Sequence, residues 1–71
     1  MWLKAKVMNT LLAANKITRF ELAKEVRCSL HLLGEVLNGK NEADEELSRL
    51  LIAAFGAAAM MQAIDWRRMT A

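Results

Sequence analysis

Few side chains in this 71-residue chain could do covalent chemistry. Its only cysteine is Cys28 and its only histidine is His31. A thiol nucleophile needs a base in hydrogen-bond reach and a third group to orient that base. A structural zinc site needs four ligands, nearly all Cys or His. One cysteine and one histidine supply neither. No Gly-rich phosphate loop and no metal-ligand spacing is present either. The expectation is a protein that is not an enzyme and carries no metal or cofactor. What remains is hydrogen-bonding and charge chemistry, and it is concentrated between residues 19 and 40, in Arg19, Arg27, Ser29, His31, Glu35, Asn38 and Lys40.

The elements that must hold these residues read as helices. Thr18-Arg19-Phe20-Glu21 has the spacing of a capping box, in which the threonine oxygen and the glutamate each satisfy the other's backbone amide. That box predicts a second helix from Thr18 to Val26–Cys28, with Leu22, Ala23 and Val26 inside. Ser29 is a good N-cap for a third helix that runs to Asn38. Leu33, Val36 and Leu37 recur at i, i+3 and i+4 on its inner face. Gly39 then suits a left-handed terminator. Before this pair, Leu3, Val7, Leu11 and Ala14 predict a first helix over residues 2–14, with Met8 and Leu12 beside the stripe. After it, the acidic stretch 41–44 suits the positive end of a fourth helix running to Phe55. Leu47, Leu50, Leu51, Ala54 and Phe55 are its apolar face, and Gly56 ends it. A fifth helix is predicted over 57–68. With no proline, no repeat and no linker, residues 1–71 read as one all-α domain.

Two short helices joined by a tight turn define a helix-turn-helix if a small residue sits where the backbones approach. Ala23 meets that need, and Leu22, Val26, Cys28, Leu33 and Val36 are the apolar residues that would fix the crossing angle. Cys28 reads as a small buried hydrophobe. The pattern Leu22-Ala23, Ser29, Leu33, Asn38-Gly39 resembles the λ-repressor-like helix-turn-helix domains, the XRE or Cro/phage-repressor family, over roughly residues 3–56. Leu47–Gly56 looks like that family's fourth helix. Arg27 stands at a turn position usually held by glycine, which calls for a left-handed residue or a different turn.

The resemblance implies a five-helix DNA-binding domain whose third helix enters the major groove. By register the base-facing residues are then Ser29, Leu30, His31, Leu32, Gly34 and Glu35. Arg19, with amides at the start of the second helix, would hold phosphates on one side; Asn38 and Lys40 would do so on the other, and Arg27 belongs to the same surface. The implied protein is a transcriptional regulator of the repressor type, a homodimer on a palindromic operator in double-stranded DNA. Met60, Met61, Ile64 and Trp66 are the candidate dimer surface, with packing in the core as the alternative for Met60, Met61 and Trp66. Trp2 should pack near the C-terminal helix or join the dimer contact. A competing reading keeps the fold but turns helix three, through Leu30 and Leu32, toward a protein partner, as in an antirepressor or accessory factor. A third makes the apolar helices an oligomerisation domain.

Bulk properties agree with a nucleic-acid partner without demanding one. The net charge is only +2. Residues 1–40 carry seven Lys/Arg against three Glu, a net of +4, whereas residues 41–71 carry three Arg against five acids, a net of −2. A polyanion would meet the N-terminal part first. Apolar residues make up 55% of the chain, above the usual ~45–50%, which in so small a domain suggests surface left for a second subunit. A lone cysteine fits a reducing compartment. The run Leu50–Met61 is too short to cross a bilayer and the N-terminus lacks a signal-peptide pattern, so the expected location is the cytoplasm.

Overall fold

Thr18 and Glu21 do close a capping box. Thr18 Oγ1 accepts from the Glu21 amide, and Glu21 Oε1 accepts from the Thr18 amide, each at 3.1 Å. The computed structural model, which describes residues 1–69, orders six helices: α1 (Ala5–Ala14), α2 (Arg19–Glu25), α3 (Leu30–Leu37), α4 (Glu45–Phe55), α5 (Ala57–Ala63) and α6 (Trp66–Met69). Two further N-caps form where side-chain chemistry favours them. Ser29 accepts from the Leu32 amide at 3.1 Å, and Asp44 from the Leu47 amide at 2.8 Å.

Helices α1, α2 and α3 end in the same way. In each, the amide two residues past the C-cap reaches back to a carbonyl in the last turn: Ile17 to Leu12, Cys28 to Ala23, Lys40 to Glu35. The residue between is left-handed: Lys16 (φ 53°), Arg27 (φ 56°) and Gly39 (φ 77°). These are Schellman motifs. They satisfy carbonyls that would otherwise be orphaned.

Two expectations are corrected at the chain ends. The first helix starts at Ala5, not Trp2, because residues 2–4 are extended and pair with a break near the C-terminus. The Lys4 amide donates to Ala63 O and the Asp65 amide to Trp2 O, both at 2.8 Å, bridging Leu3 and Ile64 antiparallel. The same bridge divides the expected fifth helix into α5 and α6: Ile64 is extended (ψ 131°), and these backbone groups bond outside the helix. Among the described residues the expected five helices thus become six.

One core gathers side chains from the extended N-terminal segment and from α1 to α5. Leu3, Met8, Leu22, Leu33, Leu37, Leu51 and Met60 are fully buried within it. The inner face of α1 is centred on Met8 and Leu12, while Val7 and Leu11 flank it and Ala14 faces solvent. Ala54 on α4 is exposed as well. Helix α5 packs against α1 and α4, and α3 against α1 and α2. Met60 and Ile64 lie inside this packing at 1% and 8% exposure, so they are core residues and cannot form the dimer surface expected of them. No helix among the described residues is long and apolar enough to cross a membrane.

Candidate nucleic-acid interface

Helices α2 and α3 pack on one another across the four-residue connection Val26–Ser29. Leu22, Ala23, Val26, Leu33 and Val36 are buried, as the helix-turn-helix spacing requires, and Cys28 is half-buried against the same core. Burial pushes the Cys28 thiol up from its ordinary value, and the Asp44 carboxylate adds to that rise. Cys28 thus packs on the edge of the core, half-buried rather than fully inside it.

Burying Leu33, Val36 and Leu37 leaves the opposite face of α3 to solvent. His31, Gly34, Glu35 and Asn38 recur there at i, i+3, i+4 and i+7. Their chemistry is partly taken up within the protein. His31 Nε2 lies 3.4 Å from Glu35 Oε1, one turn along the helix. Ser29 uses its oxygen as the cap, which leaves its hydroxyl hydrogen to give.

Arg19, the first residue of α2, reaches across to this stripe. Its Nη2 donates to Asn38 Oδ1 at 2.9 Å and to Asn9 Oδ1 on α1 at 3.0 Å. Both acceptors are neutral amides, and among the described residues no carboxylate pairs with the guanidinium. The side chain is therefore held in place with its charge uncompensated. Arginine can only donate, so the Asn38 amide oxygen must face it. That leaves the Asn38 NH₂ group as the outward-facing function. Gly34 lies beneath this arrangement: a Cβ built there would sit 3.9 Å from Arg19 Nη1, an ordinary contact.

A second arginine comes from the far end of the chain. Arg68 on α6 donates through Nη1 to the carbonyl of Gly39, and its guanidinium lies 3.6 Å from the centroid of the Trp2 ring. Trp2 thus packs by the C-terminal helix, as its type suggested. Gly39 is favoured twice over: φ is 77°, and a Cβ would come within 3.1 Å of Leu3 O. Lys40 follows it and is exposed.

The structure pairs Arg19 with Asn38 and His31 with Glu35 on the solvent side of α3, and Lys40 follows in the chain. Arg27 is exposed in the turn, and Ser29 and Leu30 are exposed at the start of α3. Sequence reasoning missed Asn9 and Arg68. Asn9 is one polar residue on the solvent side of α1, and nothing in its spacing points to Arg19. Arg68 lies 29 residues from Gly39 in the chain, and no spacing links the two.

A second surface adjoins the first. Leu30 and Leu32 are 48% and 43% exposed. Leu32 lines an open groove of about 260 Å³ with Val26, Leu47 and Leu50, edged by Arg27, Asp44 and Glu46. Elsewhere on the surface, Met61 and Trp66 are 59% and 50% exposed, and Trp66 Nε1 donates to Met61 O at 3.2 Å. No protein family, curated protein or solved structure matches this chain.

Proposed function

We propose that this protein is a λ-repressor-like, helix-turn-helix DNA-binding regulator of the repressor type, acting as a homodimer on a palindromic operator. The observation that carries the reading is Arg19: a guanidinium clamped by two amide oxygens, with no carboxylate partner, beside the solvent face of α3. A charge fixed in position but not neutralised is suited to a phosphate. In this reading α3 lies in the major groove. His31, Ser29 and Glu35 address base edges, Leu30 touches a thymine methyl, and Asn38, Arg19, Arg27 and Lys40 address the backbone. One such module makes few base contacts, so two copies are needed, with half-sites about one turn (~34 Å) apart. Met61 and Trp66, two of the exposed apolar residues, are the ones assigned to join them in this reading.

Selection from a randomised duplex library at about 50 mM and about 150 mM salt tests this, because charge-driven and specific binding separate with salt. The expected result is a palindrome that survives the higher salt. Weak binding with no enriched sequence would overturn the reading.

The exposed Leu30 and Leu32, and the open groove beside Leu32, favour a second reading in which α3 engages a protein partner. There, Leu30→Glu abolishes partner binding while affinity for DNA is negligible from the outset.

A further inference from the structure

We infer that Arg68 is a further phosphate-binding residue of this interface, delivered from α6 to the segment that follows α3. The inference rests on the DNA-binding reading above and extends it to a part of the chain outside the helix-turn-helix.

Three stretches of chain converge where α3 ends. The extended N-terminal segment supplies Trp2 and Leu3, α3 supplies its Schellman turn at Gly39, and α6 supplies Arg68. The Leu3–Ile64 bridge fixes the first of these against the approach to the third. Gly39 eases the convergence, since a Cβ would sit a tight 3.1 Å from Leu3 O, while its 3.6 Å to Arg68 Nη1 would be an ordinary contact. The guanidinium is thereby oriented by two contacts of different kinds. Stacking on Trp2 uses its flat face and consumes no hydrogen-bond donor. The Gly39 carbonyl takes one donor out of the five that arginine carries. The side chain is solvent-exposed, and among the described residues no carboxylate pairs with it.

Its position gives the charge a purpose. Arg19 bonds the Asn38 side chain, Arg68 bonds the Gly39 carbonyl, and Lys40 is the next residue. Three cations are thus attached to three consecutive residues at one end of α3. A purely structural account exists: a cation at the negative end of a helix is favourable by itself. That account needs only one cation, and it makes no claim on an added polyanion. A surface that holds two guanidiniums by neutral acceptors and leaves their charges unmatched is suited to a strand of phosphates.

The experiment is a salt titration of binding to the selected duplex, comparing the unaltered protein with Arg68→Gln and Arg68→Lys. Each phosphate contact contributes about 0.9 to the slope of log K against log salt. Arg68→Gln is expected to lower the slope by about one and to weaken all sequences alike, whereas Arg68→Lys retains most of the slope. A second measurement uses the unaltered protein, so that a variant that misfolds decides nothing. The Arg68 Nε–Hε resonance, assigned by its loss in Arg68→Lys, should shift when duplex is added. If the unaltered protein binds duplex but the resonance stays in place, or folded Arg68→Gln keeps the full slope, Arg68 is only a helix cap and the inference falls. If the unaltered protein binds no duplex, the DNA-binding reading itself falls and takes the inference with it.

Discussion

Arg19 Nη2 donates to Asn38 Oδ1 at 2.9 Å, tying the first residue of α2 to the residue that closes α3. A third residue, Asn9 on α1, accepts from the same nitrogen at 3.0 Å. One side chain therefore spans three helices, and it does so at the solvent face rather than in the core. Such a bond adds little to stability, since exposed polar pairs contribute only a fraction of a kcal/mol. Its effect is positional.

Arg19 and Asn38 should accordingly be coupled in binding more than in folding. Arg19→Ala is expected to weaken binding to every duplex and to reduce the salt slope by about one. Asn38→Ala should reproduce part of that loss, because Arg19 loses an anchor. The double variant should then lose less than the two single losses together, with an interaction term of about 0.5–3 kcal/mol. Fluorescence anisotropy across a salt series measures all four proteins. Strict additivity would show that Arg19 needs no positioning by Asn38.

Gly34 separates folding from recognition more sharply. Glycine inside a helix costs about 1 kcal/mol against alanine. The nearest atom to an added Cβ is Arg19 Nη1 at 3.9 Å, so the methyl group fits the free protein. Gly34→Ala is therefore expected to raise stability by about 0.5–1 kcal/mol, read from urea unfolding. If the groove of DNA approaches the α3 backbone there, the same variant binds severalfold more weakly. A more stable protein with unchanged affinity would place the contact elsewhere on α3.

Arg27 sets up the same opposition in the turn. Its φ of 56° is a conformation that costs a non-glycine residue about 1–2 kcal/mol. Glycine would relieve that strain but lose about 0.5–1 kcal/mol of chain entropy. Arg27→Gly should then be more stable by about 0.5–1 kcal/mol in thermal or urea unfolding, since the Cys28-to-Ala23 and Arg27-to-Lys24 turn bonds use only backbone. If Arg27 contacts phosphate as proposed, the same stabilising change should still weaken DNA binding. Loss of stability in Arg27→Gly would mean that the guanidinium makes a compensating contact in the folded turn.

The local chemistry of the helix ends was legible in the sequence, and the relations between distant segments were not. Thr18, Glu21, Ser29 and Gly39 announce their roles because a cap or terminator depends on residue type within a few positions. The Leu22, Val26, Leu33 and Val36 pattern was readable for the same reason, since each helix carries its own period. The Leu3–Ile64 bridge joins residues at opposite ends of the chain through backbone groups, and no side-chain type marks it. That one pairing delays α1 to Ala5 and splits the last helix in two. The burial of Met60 beside an exposed Met61 follows from how α5 lies on α1 and α4, which an alanine-rich run with apolar residues on several sides could not specify. Arg19 was readable as a candidate phosphate contact, but its fixation by Asn9 was not.

Met60 and Met61 are neighbours with opposite surroundings, 1% and 59% exposed, and they offer the cleanest division between fold and assembly. Met60→Ala removes a side chain packed in the core and should cost about 2–5 kcal/mol, visible as a lower unfolding midpoint at any protein concentration. Met61→Ala removes a solvent-facing side chain, and within one chain it should change stability by no more than about 0.5 kcal/mol. If Met61 and Trp66 join two copies, however, Met61→Ala moves the dimerisation midpoint to higher concentration in sedimentation equilibrium. It also lowers affinity for a two-half-site operator more than for a single half-site, because only the former draws on the contact between copies. Equal losses on both DNAs, with sedimentation unchanged, would remove this face from the dimer and send the search to the Leu30 and Leu32 side of the molecule.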